Sequence, residues 1–265
     1  MATMTDAMTE IRMPVRHFRL YPAAAPHGET GQMEVFDARE AALLLIDVYH
    51  AAETPAASEL VHSAWDREFW RIVDERLVPV IAAARSAGLS IIYAMNSAPR
   101  IALDRSAYGR CFHDSLGFDP EVDFAEPDVD PLEYHRGGPV QLVIPPRLAP
   151  EPHDYYVRKH TYSGFFETRL DSVLRNLGAH TLLCAGFAAD CCVLFTIADA
   201  VFRGYRPILL RDCTLASELP NEIGTFARTR RTISSIEGFL GPSAAAADAI
   251  DALSAAGAGT AARQS

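Results

Sequence analysis

Short unbroken apolar runs alternate along this chain with longer stretches of helical period. Residues 41–47 (AALLLID) are six consecutive apolar residues closed by an acid. Apolarity without alternation predicts a strand buried on both faces, as in a parallel sheet. Over 66–87, Phe69, Ile72, Val73, Leu77, Val80, Ile81 and Ala84 recur at helical spacing, and Gly88 follows as a stop. The run 89–95 (LSIIYAM) predicts a second buried strand. After an interval rich in Pro, Gly and Asp over 96–153, the alternation resumes. It predicts a strand over 155–159, a helix over 165–177 ended by Gly178, and a strand over 180–186. A helix over 191–202 ended by Gly204, a strand over 206–211 and a helix over 221–231 follow. The pattern is that of the α/β class, an open parallel sheet with helices on both faces.

The flanks carry weaker signals. Residues 1–38, with YPAAAPHGETG and no sustained period, are expected to form an irregular arm. Residues 39–242 are expected to form a single domain. Residues 243–265 form an Ala-rich tail, read as one last helix with a frayed end (GAGTAARQS). The 96–153 excursion is expected to hold short elements that wall a pocket. Trp65, Phe69 and Trp70 are expected to pack on the sheet rather than anchor an interface.

Composition narrows the partners. The chain has 265 residues, 49% of them apolar and 22% charged, enough to bury a full core. Its net charge of −10 argues against nucleic acid or an anionic membrane as the main partner. No apolar run approaches the roughly 18–20 residues of a bilayer span. The N-terminus (MATMTDAMTEIRMPVRHF) lacks the apolar segment of a secretory signal. Five cysteines, an odd number with two adjacent, fit a reducing cytoplasm better than a disulfide framework. Only Lys159 is a lysine; the other 23 of the 24 basic residues are arginine. A position that keeps lysine against such a bias is a candidate for work only a compact ammonium does.

In an open parallel sheet, sites form beyond the carboxyl ends of the strands. Asp47, Lys159 and Cys192 are all expected there. A cysteine in the first turn of a helix faces unpaired N–H groups and the positive end of the dipole, which favour its thiolate. A half-buried carboxylate beside it serves as a general base, and an ammonium keeps that base ionised. The local pattern does not choose between Cys191 and Cys192. Cys111, Cys184 and Cys213 read as small buried apolar residues. A Cys-His pair is the competing device, with His50 the nearest candidate because it follows Asp47 closely. No spacing of His, Cys, Asp or Glu suggests a metal site, and no phosphate-binding or dinucleotide glycine motif occurs, so neither metal nor cofactor is expected.

Three segments carry a family likeness: LLLIDV (43–48), K-x-x-Y-S-G-F-F-x-T-x-L (159–170) and G-F-A-A-D-C-C-V-L-x-T-x-x-D-A (186–200). In order and spacing the chain resembles the isochorismatase-like cysteine hydrolases over about residues 40–240. The resemblance implies a six-stranded parallel sheet in a three-layer fold and an Asp-Lys-Cys triad. Asp47 would be the base, Lys159 the cation and Cys192 the nucleophile, Cys192 because Cys192-Val193 matches the family's Cys-Val step. It also implies a cis peptide at Phe187–Ala188, with the N–H groups of Ala188 and Cys192 as the oxyanion hole. The stretch YSGFFETRLDSVLRNLG is most similar to the ureidoacrylate amidohydrolase branch, in which Asn96 and Tyr162 fall at substrate-pocket positions. Val48-Tyr49 replaces the family's usual Met-Gln or Met-Asn. Tyr49, Asn96, Tyr162 and Phe187 are thus the candidate substrate contacts. The expected reaction is metal-independent hydrolysis of a C–N bond in a small amide or ureido compound. The alternatives are a vinyl-ether hydrolase of the isochorismatase type and a catalytically idle scaffold. A homo-oligomer, dimer or tetramer, is implied as well.

Overall fold

The computed structural model describes residues 9–19, 28–51, 64–97, 106–116 and 142–264. Two N-terminal strands, β1 (Glu10–Arg19) and β2 (Gly28–Asp37), lead into β3 (Ala41–Ile46) and the short β4 (His50–Ala51). Helices α1 (Ala64–Ile72) and α2 (Val78–Ser86) are joined by a wide π-type turn, and β5 (Ser90–Asn96) follows. Then come α3 (Ala107–Leu116), the short β6 (Leu142–Val143), β7 (Tyr155–Lys159) and α4 (Leu170–Leu177). The chain continues through β8 (Thr181–Phe187), α5 (Leu194–Phe202), β9 (Arg206–Leu215) and α6 (Ala227–Phe239), and ends with β10 (Ser243–Ala244) and α7 (Ala246–Gln264).

The main sheet runs β2-β1-β10-β9-β8-β3-β5-β7. It has eight strands, where six were expected. The run from β10 to β7 is parallel, and the hairpin β1–β2 adds two antiparallel strands at one edge. Residues 10–19 and 28–37 of the expected irregular arm are therefore sheet. Ile11, Met13 and Val15 alternate inward and are buried, while Arg12 and Pro14 face out. The hairpin is fastened from its other face. Arg16 pairs with the buried Glu237 of α6 at 2.9 Å, and Glu237 accepts from Ser243 of β10 at 2.5 Å. The tail is likewise structural. Ala246, Ala249, Leu253 and Ala256 bury one side of α7, which is helical to Gln264 instead of fraying.

β3 lies at the centre with both faces covered, which explains its unbroken apolar run. Leu43 and Leu45 join the core under α1, α2 and α7, whereas Ala42, Leu44 and Ile46 join the core under α4, α5 and α6. Phe69 is fully buried, and Trp65 and Trp70 pack against the same core as expected. Residues 98–105 and 117–141 of the excursion lie outside the described residues, as do 1–8 and 20–27 of the arm.

Burial at the sheet centre has a consequence for alkaline stability. Burial pushes the thiol of Cys184 on β8 up to about 12. Cys213 on β9 is also held well above the ordinary value near 9, first by burial and then by the charge of Asp212. Both shifts are upward, so their contribution is intact below pH 9 and is lost as pH rises above it. There the unfolded chain releases protons that the folded chain keeps. Stability should fall by about 2.7 kcal/mol per pH unit for the pair once pH is well above 9. Urea midpoints between pH 8 and 11 measure this. The fall should be shallower in a Cys184→Ala, Cys213→Ala variant, and an equal slope in that variant would refute the assignment.

Candidate functional site

The chain leaves β3 for β5 and β7 on one side, then crosses back to β8, β9 and β10 on the other. The crevice between β3 and β8 is the topological switch point, where such sheets bind ligands. Asp47 follows β3 directly and adopts φ +47°, a left-handed conformation that Asp tolerates better than most residues. Its own N–H donates to the Ala94 carbonyl at 3.0 Å. Across the crevice, Gly186 stands opposite Ile46 at φ +125°. A Cβ on Gly186 would lie 1.9 Å from the Ile46 carbonyl oxygen, so only glycine lets β8 press this closely on β3. The peptide bond between Phe187 and Ala188 is cis. A π-type turn over Ala189–Val193 then precedes α5, where the sequence predicted helix from 191. The Ala188 carbonyl accepts from the N–H groups of Cys191 and Val193, each at 3.1 Å, straddling Cys192.

Lys159 ends β7, opposite Asn96 at the end of β5. Its side chain is fully buried. An ammonium has three N–H donors and no acceptor. Nζ donates to the Asn96 side-chain oxygen, to the Thr161 carbonyl at 2.8 Å and to Cys192 Sγ at 3.5 Å. It also lies 2.9 Å from Asp47 Oδ2, as an ion contact with no hydrogen bond aligned on that oxygen. Asp47 Oδ1 accepts the Asn96 backbone N–H at 3.0 Å. Asp47, Lys159 and Cys192, named as candidates from sequence, thus meet in one buried cluster, 0–8% exposed.

Charge and burial set the resting protonation. Burial alone would lower Lys159, but the charges of Asp47 and Cys192, its close ion contact with the one and its bond to the other hold it above the usual lysine range. The Cys192 thiol is pushed well above its ordinary value. The hydrogen bond with the Cys191 side chain contributes most, followed by burial and the charge of Asp47, with Lys159 opposing. The sequence argument from the helix dipole pointed the other way, toward a thiolate. Close neighbours and burial outweigh a dipole that acts only over one turn.

The segment after Lys159 is docked on α5, the helix that follows the turn carrying Cys192. Ser163 donates to Asp199 at 2.5 Å, and the Gly164 N–H donates to the Thr196 hydroxyl at 2.9 Å. These contacts give a physical meaning to the paired motifs Y-S-G-F-F and T-x-x-D. Tyr162 stacks on Phe195 and meets Tyr108 edge-on, with ring centroids 5.8 and 5.2 Å apart. Tyr162 thus lies near the Cys191 and Cys192 thiols. Asn96 differs, because its side-chain amide is spent on Lys159 and on Tyr49, whose hydroxyl accepts from Nδ2 at 2.7 Å. Phe187 also differs. It is 5% exposed and turned into the core, 4.6 Å from the ring of Phe69.

His50, the competing candidate, lies among Phe69 and Trp70, and its Nε2 faces Asp66 at 3.0 Å. Cys111, read as buried, is exposed on α3. Sequence reasoning missed Tyr108 on the same helix, although Tyr108, Cys111, Phe112 and Leu116 recur at helical spacing. It also missed the Thr161 carbonyl, which no side-chain motif reveals. Among the described residues, no group of three or more His, Cys, Asp or Glu converges as metal ligands, and no helix is long and apolar enough to cross a membrane.

Comparison with known proteins places this arrangement. The Isochorismatase domain family matches residues 41–235. A cysteine hydrolase from Pseudomonas syringae pv. phaseolicola 1448A is similar at 26% identity and a TM-score of 0.63, covering 83% of this chain and 95% of that one. An isochorismatase family protein from Desulfovibrio vulgaris subsp. vulgaris str. Hildenborough shares the fold at 19% identity and a TM-score of 0.54, over 81% of this chain and 98% of that one. An isochorismatase from Pseudomonas putida KT2440 does so at 20% identity and a TM-score of 0.53, over 79% and 90%.

Proposed function

Since the chain belongs to the isochorismatase family of hydrolases, we propose that it is a cysteine amidohydrolase that cleaves a C–N bond of a small amide or ureido compound. The observation that carries this reading is the ammonium of Lys159, 2.9 Å from the Asp47 carboxylate and 3.5 Å from the Cys192 sulfur. Three groups of complementary chemistry share a buried site at the switch point, which is the arrangement of an activated nucleophile.

The resting state is a neutral thiol beside a carboxylate and an ammonium. The thiol accepts from Lys159, and Asp47 Oδ2 retains the lone pairs to take the S–H proton. That proton moves to Asp47, and the thiolate so formed bonds to the substrate carbonyl carbon. The oxyanion then rests on the N–H groups of Ala188 and Cys192 in the turn that opens toward α5. The C–N bond breaks as Asp47 returns the proton to the leaving amine or ammonia. Water, deprotonated by Asp47, attacks the thioester and releases the acid and the thiol. No metal enters any step. The likeness of residues 162–178 to the ureidoacrylate amidohydrolases favours a carbamoyl-bearing substrate, with Tyr162 at the cleft wall. A panel of small amides and ureides assayed for ammonia release, with acid-quenched enzyme analysed by peptide mass, tests the reading. An acyl adduct on the Cys192 peptide is expected. Steady amide turnover that leaves no adduct there, or leaves one on another residue, would refute it.

A further inference from the structure

The direction of one hydrogen-bond chain has a consequence for specificity. Lysine cannot accept, so the bond from Lys159 fixes the Asn96 amide with its oxygen toward Nζ. Nδ2 must then face the other way, where it donates to the Tyr49 oxygen at 2.7 Å. The Tyr49 hydroxyl is thereby an acceptor toward Asn96, and its own proton points away from the chain. Every bond runs outward, from Lys159 to Asn96 to Tyr49. The buried ammonium sets this polarity, and no rotation of the amide reverses it without leaving a buried N–H facing a cation.

Tyr49 follows Asp47 by two residues. Its ring packs against the core under α1 and α2, and the half-buried residue sits beside the Asp47–Cys192 cluster. The hydroxyl feels the charges of Asp47 and Cys192 and lies near Tyr108. Burial, the largest influence, and those charges hold its ionisation well above the ordinary tyrosine value, so the donor proton is retained through the neutral range.

We propose that Tyr49 is a specificity-determining residue whose hydroxyl proton reads an acceptor oxygen, such as a second carbonyl, on the substrate. Asn96 is the residue that orients it. This rests on the cysteine amidohydrolase reading for the identity of the site, and the test is chosen to stand without turnover. Methyl succinamate carries a second carbonyl beyond its amide, and hexanamide is a similar chain without one. Each is titrated as a protectant of Cys192 against alkylation by iodoacetamide, followed by peptide mass, in the wild type and in Tyr49→Phe. Methyl succinamate should protect the wild type at lower concentration than hexanamide. In Tyr49→Phe its protection constant should weaken by about fivefold or more, the worth of one neutral hydrogen bond, while that of hexanamide stays within about twofold. An equal shift for both compounds, no shift for either, or no preference in the wild type would overturn the assignment. A failed amidase reading would instead appear as absent ammonia release with the protection pattern intact.

Discussion

Cys192→Ser should lose amide turnover by on the order of 10⁴-fold or more, while Cys191→Ser keeps most of it. Serine preserves the shape of the side chain, so the loss isolates the chemistry. An alcohol is a far weaker acid than a thiol, and Asp47 as a carboxylate has too little basicity to take its proton. Cys191 is only half-buried and reaches the site through its bond to the neighbouring thiol. That bond raises the Cys192 thiol, and replacing Cys191 removes a hindrance and no reacting atom. The measurements are kcat/KM for the best amide of the panel and the alkylation rate of the remaining thiol. A dead Cys191→Ser beside an active Cys192→Ser would place the nucleophile one residue earlier. Survival of both would show that amide turnover needs neither thiol and would overturn the nucleophile assignment.

Lys159→Arg should cost at least about a hundredfold in kcat/KM, near 2.7 kcal/mol, although the charge is kept. The ammonium is fully buried, and all three of its N–H groups are placed on Asn96, Thr161 and Cys192. A guanidinium is wider and planar, and pairs with a carboxylate through two parallel bonds. It would engage both oxygens of Asp47 and push the sulfur away, and a displacement of about 1 Å in such a cluster costs on the order of 10²-fold. The added volume at a sealed position should also lower the unfolding free energy by roughly 1–3 kcal/mol. Turnover and the urea midpoint are read on the same preparation. Near-normal turnover would show that the single lysine is an accident of an arginine-rich composition.

The centre of the fold was legible because both faces of the central parallel strands β3, β5 and β8 are buried, which forces unbroken apolar runs such as 41–46. The three candidate residues were legible for a related reason. Strand ends are where an apolar run stops, and Asp47 is the polar residue at such a stop, while Lys159 stood out as the single lysine at the end of a predicted strand. The hairpin β1–β2 escaped because Pro14 reads as a strand breaker although it faces out, and its partner strand carries Glu29 and Gln32 on exposed positions. The helix expected from residue 165 begins at Leu170 because Ser163 and Gly164 bond to α5, while Thr168 turns back to donate to the Gly164 carbonyl and accepts the Leu170 N–H. The state of the thiol was not legible at all. It depends on Cys191, Asp47 and Lys159 together, and a one-dimensional pattern assigns no distances between them.

In the proposed mechanism, the cluster of Asp47, Lys159 and Cys192 also constrains what the protein around it must do during the proton transfer. Before proton transfer it holds one anion, one cation and a neutral thiol. Afterwards it holds a neutral acid, the same cation and a thiolate. The sum is zero at both ends, so the step moves a negative charge from one neighbour of Lys159 to the other without creating any. Creating a charge in a buried space is costly, whereas shifting one across a fixed counter-ion asks little of the surroundings. A wall of rings such as Tyr162, Tyr108 and Phe195 relaxes poorly around new charge, and here it has none to relax around. The net charge of the cluster is thus the same before and after the proposed transfer, and what changes is only which neighbour of Lys159 carries the negative charge.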